Sequence, residues 1–139
     1  MKQTLFVIGG VAVIAISFFG TLSLLDSVNL QSYDTKRTEH GKMIKAAIEK
    51  YRAAHGKYPS PFVGNDVSEL KHELVDGGFI SEIPVDPYWK NGKVNRYRYR
   101  SDGSSYSLLL HFELGPCQTG VGPIAKSGWE GHNVLSCPF

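Results

Sequence analysis

The hydrophobic pattern of the chain begins with an uncharged apolar run from Leu5 to Leu25. Each helical residue rises by about 1.5 Å, so this run would span the roughly 30 Å hydrocarbon core of a bilayer. No small-x-small cleavage site follows the run, which favours an uncleaved anchor over a removed signal peptide. Residues 1–30 are therefore predicted to form a transmembrane anchor helix. Its apolar side chains are Leu5, Phe6, Val7, Ile8, Val11, Val13, Ile14, Ile16, Phe18, Phe19, Leu22, Leu24 and Leu25.

An amphipathic pattern follows between Asp34 and His55. Apolar residues recur there at i, i+3, i+4 and i+7, which is the spacing of one face of an α-helix. Gly56 suits the position just after a helix, and Pro59 prevents its continuation. Two arrangements are open: one helix that continues from the anchor, or two helices with a joint within residues 26–41. The residues of the apolar stripe are Ile44, Ala47, Ile48 and Tyr51.

A second, shorter helix is predicted after the loop at residues 57–65. Asp66 is placed to cap its first turn, with Glu69 three residues later as the capping-box partner. Gly77 and Gly78 would end this helix. The segment 84–87, Pro-Val-Asp-Pro, is expected to be rigid and extended, because each proline fixes its own φ and restrains the residue before it. The apolar face of the short helix is formed by Val67, Leu70 and Leu74.

The next part of the chain alternates in the manner of β-strands. Within residues 94–100, Tyr97 and Tyr99 fall on one face and arginines on the other. Asp102-Gly103 is a hairpin turn signal. Residues 106–114 then alternate between apolar side chains and a second set that includes Ser, Leu, His and Glu. The sequence therefore predicts a hairpin whose second strand has one buried face.

A glycine-rich loop is expected after Gly115-Pro116, with one further short strand at residues 133–137. These assignments give an α+β fold class. Residues 31–139 would form a head in which the amphipathic half of the long helix packs on a small antiparallel β-sheet.

Two cysteines, Cys117 and Cys137, lie in the last quarter of the chain. In an oxidising compartment they would pair and close a loop of ~20 residues, worth about 3 kcal/mol in the chain-entropy model. The alternative is two free thiols in a reducing compartment. We favour the disulfide, because the residues between the cysteines could scarcely pack alone. Trp129 lies between them and is expected to cover the disulfide, with an exposed contact residue as the alternative.

Composition and residue patterns bear on several function classes. The net charge of +2 and the pI of about 8.5 are too mild to indicate a nucleic-acid partner. The five histidines show no metal-ligand spacing, and the serines show no nucleophile pattern. We therefore expect no enzyme activity, no metal and no cofactor.

Arg96, Arg98 and Arg100 form the one local basic cluster that the sequence suggests. Alternation favours a strand with tyrosines packed inward and these arginines in water. The alternative is an interaction stripe that contacts acidic neighbours or DNA phosphate.

Several motifs occur in a characteristic order along the chain. Residues 56–59 (Gly-Lys-Tyr-Pro) follow Tyr51-Arg52 at the end of the amphipathic helix, and residues 84–89 (Pro-Val-Asp-Pro-Tyr-Trp) and Gly92 precede Tyr97-Arg98-Tyr99. With the apolar N-terminal helix, this succession resembles the type IV pilin and type II secretion pseudopilin family, most closely the major pseudopilin. The resemblance covers nearly the whole chain.

The resemblance implies a pilin-like fold and a single-pass protein of the bacterial inner membrane. Its N-terminus would be cytoplasmic and its head periplasmic or otherwise extracytoplasmic, an orientation that the expected disulfide also favours. The implied partners are the lipid bilayer, through the N-terminal helix, and pilin-like subunits or secretion-machine proteins. A nucleic-acid partner is not expected.

Two departures from the family pattern matter. Thr4-Leu5 keeps part of the prepilin peptidase site, but Lys2 stands where the family has glycine and Val7 where it has glutamate. These differences argue against peptidase processing and N-terminal methylation. The segment from Cys117 to Cys137 contains Glu130 as its one carboxylate, which argues against the calcium site of the major pseudopilin. A C-terminal disulfide loop is instead similar to that of type IV pilins.

The resemblance implies a non-enzymatic structural protein, a subunit or accessory of a type II secretion pseudopilus or type IV pilus-type machine that acts in protein transport. The alternative is a permanently anchored, pilin-derived binding or scaffold module that does not polymerise. The altered peptidase site favours this second function.

Overall fold

The computed structural model describes residues 31–60, 66–88, 97–113, 115–126, 129 and 134–139. The predicted anchor, residues 1–30, lies outside the described residues. The chain divides into two units between Tyr33 and Asp34, and the second unit, Asp34–Phe139, is the head. Among the described residues, no helix is both long enough and apolar enough to cross a membrane.

Helix α1 covers residues 31–55 without interruption, so the described part of the helix has no joint between residues 31 and 41. Its apolar stripe packs into the core as predicted, and Ile44 and Ile48 are fully buried. The helix ends at Gly56, which adopts a φ of 75° and donates its N–H to the Arg52 carbonyl at 2.8 Å. Glycine adopts a positive φ with the least strain, so the predicted stop at Gly56 is confirmed.

The predicted short helix is a 3-10 turn, Val67–Leu70, followed by a π-helical turn, Lys71–Asp76. Asp66 caps it through Oδ1, which accepts the Ser68 N–H at 2.8 Å. The segment ends near Gly78, whose φ is 76°. The cap, the glycine stop and the apolar face are therefore confirmed. The buried residues are Val67, Leu70 and Leu74.

After the short helix come the elements β1 Tyr97–Ser101, β2 Tyr106–Phe112, β3 Gly115–Val121, α2 Gly122–Lys126 and β4 Leu135–Ser136. The four strands form a mixed sheet in the order β1-β2-β3-β4. Strands β1, β2 and β3 are antiparallel neighbours, whereas β4 runs parallel to β3. The all-antiparallel sheet expected from the sequence is therefore wrong at one edge. The connection from β3 to β4 contains helix α2 and returns the chain in the same direction, as a crossover does.

Strand β3 replaces the loop that was expected after Gly115-Pro116. Its residues, Gly-Pro-Cys-Gln-Thr-Gly-Val, have low strand propensity, but they pair along the whole of β2. Gly120 is needed there because a Cβ at this position would collide with the Tyr106 carbonyl. Pairing with β2 therefore overrides the local preference for a loop.

Strand β2 is buried on both faces over Tyr106–Leu110, so the prediction of one exposed face is wrong. One face packs on α1. Helix α2 lies over the other, where the Gln118 amide donates to the Ala125 carbonyl at 2.7 Å. Trp129 lies over the same face, and its indole N–H donates to Ser107 Oγ at 3.0 Å.

The hairpin turn between β1 and β2 is the one predicted from Asp102-Gly103. Gly103 has a φ of 84°. The Asp102 carboxylate accepts the backbone N–H of Ser105 at 2.7 Å and that of Ser104 at 2.9 Å. These bonds, with the Ser104 hydroxyl, lower the pKa of Asp102 to about 2.

The predicted disulfide is present and joins Cys117 of β3 to Cys137, just after β4. Phe139 beyond it packs at Gly41 on α1, where a Cβ would lie 2.8 Å from Leu110 Cδ2 and closer still to the Phe139 ring. The disulfide therefore holds the edge strand beside β3 and the terminal ring against the helix.

Replacement of Cys117 and Cys137 together by serine should lower the free energy of unfolding by about 3 kcal/mol, because the unfolded chain regains the entropy of a 20-residue loop. Urea unfolding of the full-length protein in detergent measures the change. A reducing agent should destabilise the wild-type protein by a similar amount and leave the double variant unaffected. Equal midpoints for both proteins under oxidising conditions would contradict this expectation.

Acid should weaken the β1–β2 turn. The pKa of Asp102 is depressed in the folded protein, so its stabilising effect is complete above the ordinary value of 3.8 and is lost as the pH falls through about 2. Asp102→Asn should therefore unfold at a midpoint that depends less on pH between 4 and 2. Thermal unfolding across that range checks this, with Glu82→Gln at an exposed carboxylate as a control. If the unfolding temperatures of wild type and Asp102→Asn change in parallel with pH, the ionised Asp102 carboxylate does not stabilise the turn.

Candidate functional site

The predicted arginine stripe is only partly solvent-facing. Arg98 and Arg100 lie on the sheet face away from α1 and are both half-buried, and Arg96 lies outside the described residues. The Arg100 guanidinium lies 4.4 Å from the centre of the Trp129 ring and donates to the Ile124 carbonyl at 3.2 Å. Arg100 therefore helps to hold α2 and Trp129 on the sheet.

Trp129 does not cover the disulfide, contrary to the expectation from the sequence. Its contacts are Ser107 and Arg100, which share one face of the sheet. Cys117 pairs with Leu110 and faces α1 with the core. Because side chains alternate along a strand, the indole and the disulfide lie on opposite faces.

A buried ion cluster ties two distant segments to α1. The Arg37 guanidinium binds Asp86 in a bidentate manner, with Nε to Oδ2 at 2.9 Å and Nη2 to Oδ1 at 3.2 Å. Its Nη1 donates to Asp34 at 2.7 Å and to Glu113 at 2.9 Å. The side chain of Arg37 is fully buried and that of Asp86 is 1% exposed. One guanidinium therefore joins the helix to the segment before Pro87 and to the end of β2.

The carboxylates keep Arg37 charged despite its burial. Burial alone would lower the pKa of Arg37, but its hydrogen bonds to Asp86, Asp34 and Glu113 outweigh this and raise the pKa. His40 lies beside the cluster, with Nδ1 2.9 Å from the Tyr97 hydroxyl oxygen. Burial lowers the pKa of His40, although Asp86 opposes the effect.

This cluster was not predicted from the sequence, although one signal for it was present. Arg37 precedes Ile44 by seven residues, so it continues the buried stripe of α1 by two helical turns. A charged residue on an apolar stripe requires a partner of opposite charge. The position of that partner, Asp86, depends on the path of the chain 49 residues later.

A groove with acidic and aromatic walls lies at the C-terminal end of α1. It has a volume of about 330 Å³. Tyr51 and His55 stack with ring centres 4.1 Å apart, and Phe79 meets the Tyr51 ring edge-to-face at 5.5 Å. We call this the acidic groove; its walls are formed by Tyr51, His55, His72, Glu73, Asp76 and Phe79.

Two carboxylates give the acidic groove its charge. Oε2 of Glu73 is buried and has no hydrogen-bond partner among the described residues. Asp76 lies at the rim, where Oδ2 is 3.2 Å from Nδ1 of His72 and the His72 side chain is 90% exposed. The groove therefore presents negative charge beside ring surfaces.

The side of α1 away from the sheet is exposed and mostly basic, with exposed Glu39 among its lysines. Met43 is 45% exposed there, and Ala46 leaves an open surface beside it. Three exposed lysines occur along this side of the helix, at intervals of six and eight residues. We call it the lysine face and define it by Lys36, Lys42 and Lys50.

Within the described residues, no group of three or more His, Cys, Asp and Glu side chains is arranged to hold a metal ion.

A second surface cavity, of about 350 Å³, is bordered by Glu49. The Glu49 carboxylate accepts a hydrogen bond from the Tyr106 hydroxyl at 3.0 Å. Burial, aided by the charge of Glu49, raises the pKa of Tyr106 and keeps the hydroxyl protonated as a donor.

Comparison with known proteins finds no matching family model, no matching curated protein and no matching solved structure.

Loss of the buried Arg37 guanidinium should strongly destabilise the folded head. Arg37→Met leaves Asp86 buried without its cation, which should lower the free energy of unfolding by about 3–5 kcal/mol. Lys36→Met is the matched control on the exposed side of the same helical turn. It should change the free energy of unfolding by less than about 0.5 kcal/mol. Urea unfolding of full-length protein in detergent measures both.

The double variant Arg37→Met/Asp86→Asn removes both charges and should lose less stability than the two single changes added together. Equal midpoints for Arg37→Met and Lys36→Met would show that the cluster does not hold the head together.

Proposed function

We propose that this chain is a non-enzymatic, membrane-anchored, pilin-like structural protein. It would serve as a subunit or accessory of a type II secretion pseudopilus or a type IV pilus-type machine. Residues 1–30 would anchor it in the bacterial inner membrane with the N-terminus cytoplasmic and the head on the periplasmic side. The protein would act by helix packing, without a cofactor and without binding nucleic acid.

The observation that carries this proposal is the two-sided character of α1. One side is buried against the sheet through Ile44, Ala47 and Ile48, whereas Met43 and Ala46 lie exposed on the other side. A surface helix typically carries charged and polar residues on the side opposite the core, so Met43 and Ala46 give this side an uncharged patch. An exposed methionine and an exposed alanine between lysines suit close packing against a neighbouring helix.

The disulfide supports an extracytoplasmic head. Cys117 and Cys137 are bonded, and the described residues contain no free cysteine. Structural disulfides persist in oxidising compartments and are rare in the reducing cytosol. This agrees with the orientation proposed for the anchor.

A second candidate function is a permanently anchored binding or scaffold module that does not polymerise. Lys2 and Val7 favour it, because the family that this sequence resembles has glycine and glutamate at these two positions of the peptidase site. The head would then present the same helix surface to fixed partners in the membrane.

A photo-crosslinking amino acid at Ala46 tests the proposed packing surface. In native membranes we expect adducts between copies of this chain, or with pilin-like and secretion-machine proteins. The same probe at Ser104, exposed in the β1–β2 turn, is the matched control and should yield few adducts. Equal yields at the two positions would contradict the proposal that α1 is the packing surface.

N-terminal sequencing and shearing separate the two candidate functions. A fibre subunit should be recovered in sheared fibres. An intact Met1 on the membrane-bound protein, together with its absence from sheared fibres, would refute the fibre-subunit function and leave the anchored module.

A further inference from the structure

Charge is divided unevenly between two neighbouring segments of the head. Residues 66–88 contain six carboxylates against one lysine, whereas residues 34–57 contain seven lysines and arginines against three carboxylates. Part of the basic charge is already engaged, since Arg37 is buried in the ion cluster and Lys45 donates to the Phe139 carbonyl at 3.2 Å. The lysine face retains its charge at the surface.

The acidic groove has the chemistry of a site for a cationic side chain. The partnerless oxygen of Glu73 and the rim carboxylate of Asp76 would both attract an ammonium group. The rings of Tyr51 and Phe79 add a surface that stabilises a cation and packs on the methylenes of a lysine. An apolar or anionic group would leave the carboxylates uncompensated.

We propose that the acidic groove binds a lysine from the lysine face of a second copy of this chain. The inference rests on the proposed function, because it requires copies that pack side by side in the membrane. It adds the pair of surfaces through which two heads meet.

The lysine face is displaced from the acidic groove of its own molecule. Lys42 precedes His55 by 13 residues, which is roughly 20 Å along the helix, and Lys36 lies farther away. Lys50 is closer, but it lies about 140° around the helix axis from His55. Among the described residues, no ion pair joins these lysines to the carboxylates of the groove, so their charges are left for a second molecule.

The contact joins two different surfaces, so it is heterologous. Each bound copy still offers an unoccupied groove or lysine face, and the association continues without closing into a symmetric dimer. Copies that share one helix direction would be staggered along the axis by roughly 20–30 Å if Lys42 or Lys36 is engaged.

The test uses the full-length chain in native membranes with a photo-crosslinking amino acid at His72, on the rim of the groove. Mass spectrometry of the adducts should map them to the lysine face of another copy. Asp76→Lys in every copy should reduce these adducts about tenfold or more, because like charges then meet. Co-expression of the Asp76→Lys chain with a Lys36→Glu/Lys42→Glu/Lys50→Glu chain should restore them.

The controls reverse charges outside the two surfaces. Glu82→Lys and Lys57→Glu carry the same changes in charge at exposed positions and should leave the adducts unchanged. Equal loss in Glu82→Lys and Asp76→Lys would overturn the proposal, because net charge and not the groove would then control association. Adducts that map to another protein would also overturn it.

Fibre shearing, carried out in parallel, separates this inference from the proposed function. Fibres that form without groove-to-lysine adducts would overturn the inference and leave the proposed function intact. Adducts on the lysine face without fibres would support the contact between copies and refute the fibre-subunit function.

Discussion

The bidentate pair between Arg37 and Asp86 is the interaction on which the arrangement of the head depends most. It joins α1 to a segment 49 residues later, and the same guanidinium binds Glu113 at the end of β2. A buried guanidinium without carboxylates would be strongly destabilising. Burial of Arg37 is therefore compatible only with a fold that places these carboxylates beside it. The pair thereby favours one packing of the segment before Pro87 over others that bury similar apolar area.

The sheet is held between two unequal layers. On one side, α1 covers the tyrosines of β1 and the alternate residues of β2. On the other, the short helix α2 and Trp129 cover Ser107 and Leu109, which makes β2 buried on both faces. The Cys117–Cys137 disulfide holds the terminal strand where pairing over two residues would be weak.

The same helix that organises the core also presents the surface proposed for assembly. Its buried side ends in the stacked rings of Tyr51 and His55, which form one wall of the acidic groove. Its exposed side carries the lysine face. A single rigid helix therefore sets the spacing between two complementary surfaces, and this spacing would determine how copies are staggered.

The sequence by itself determined what local chemistry controls: the stripe of α1, its stop at Gly56, the cap at Asp66, the Asp102-Gly103 turn and the pairing of the cysteines. These depend on spacing, on φ or on the scarcity of thiols. Tertiary structure decided where β3 forms, because its glycines and proline are strand residues only beside β2. It also decided the partners of Arg37 and Trp129 and the walls of the acidic groove. Those contacts join residues from segments far apart in the chain, and no local pattern specifies which segments meet.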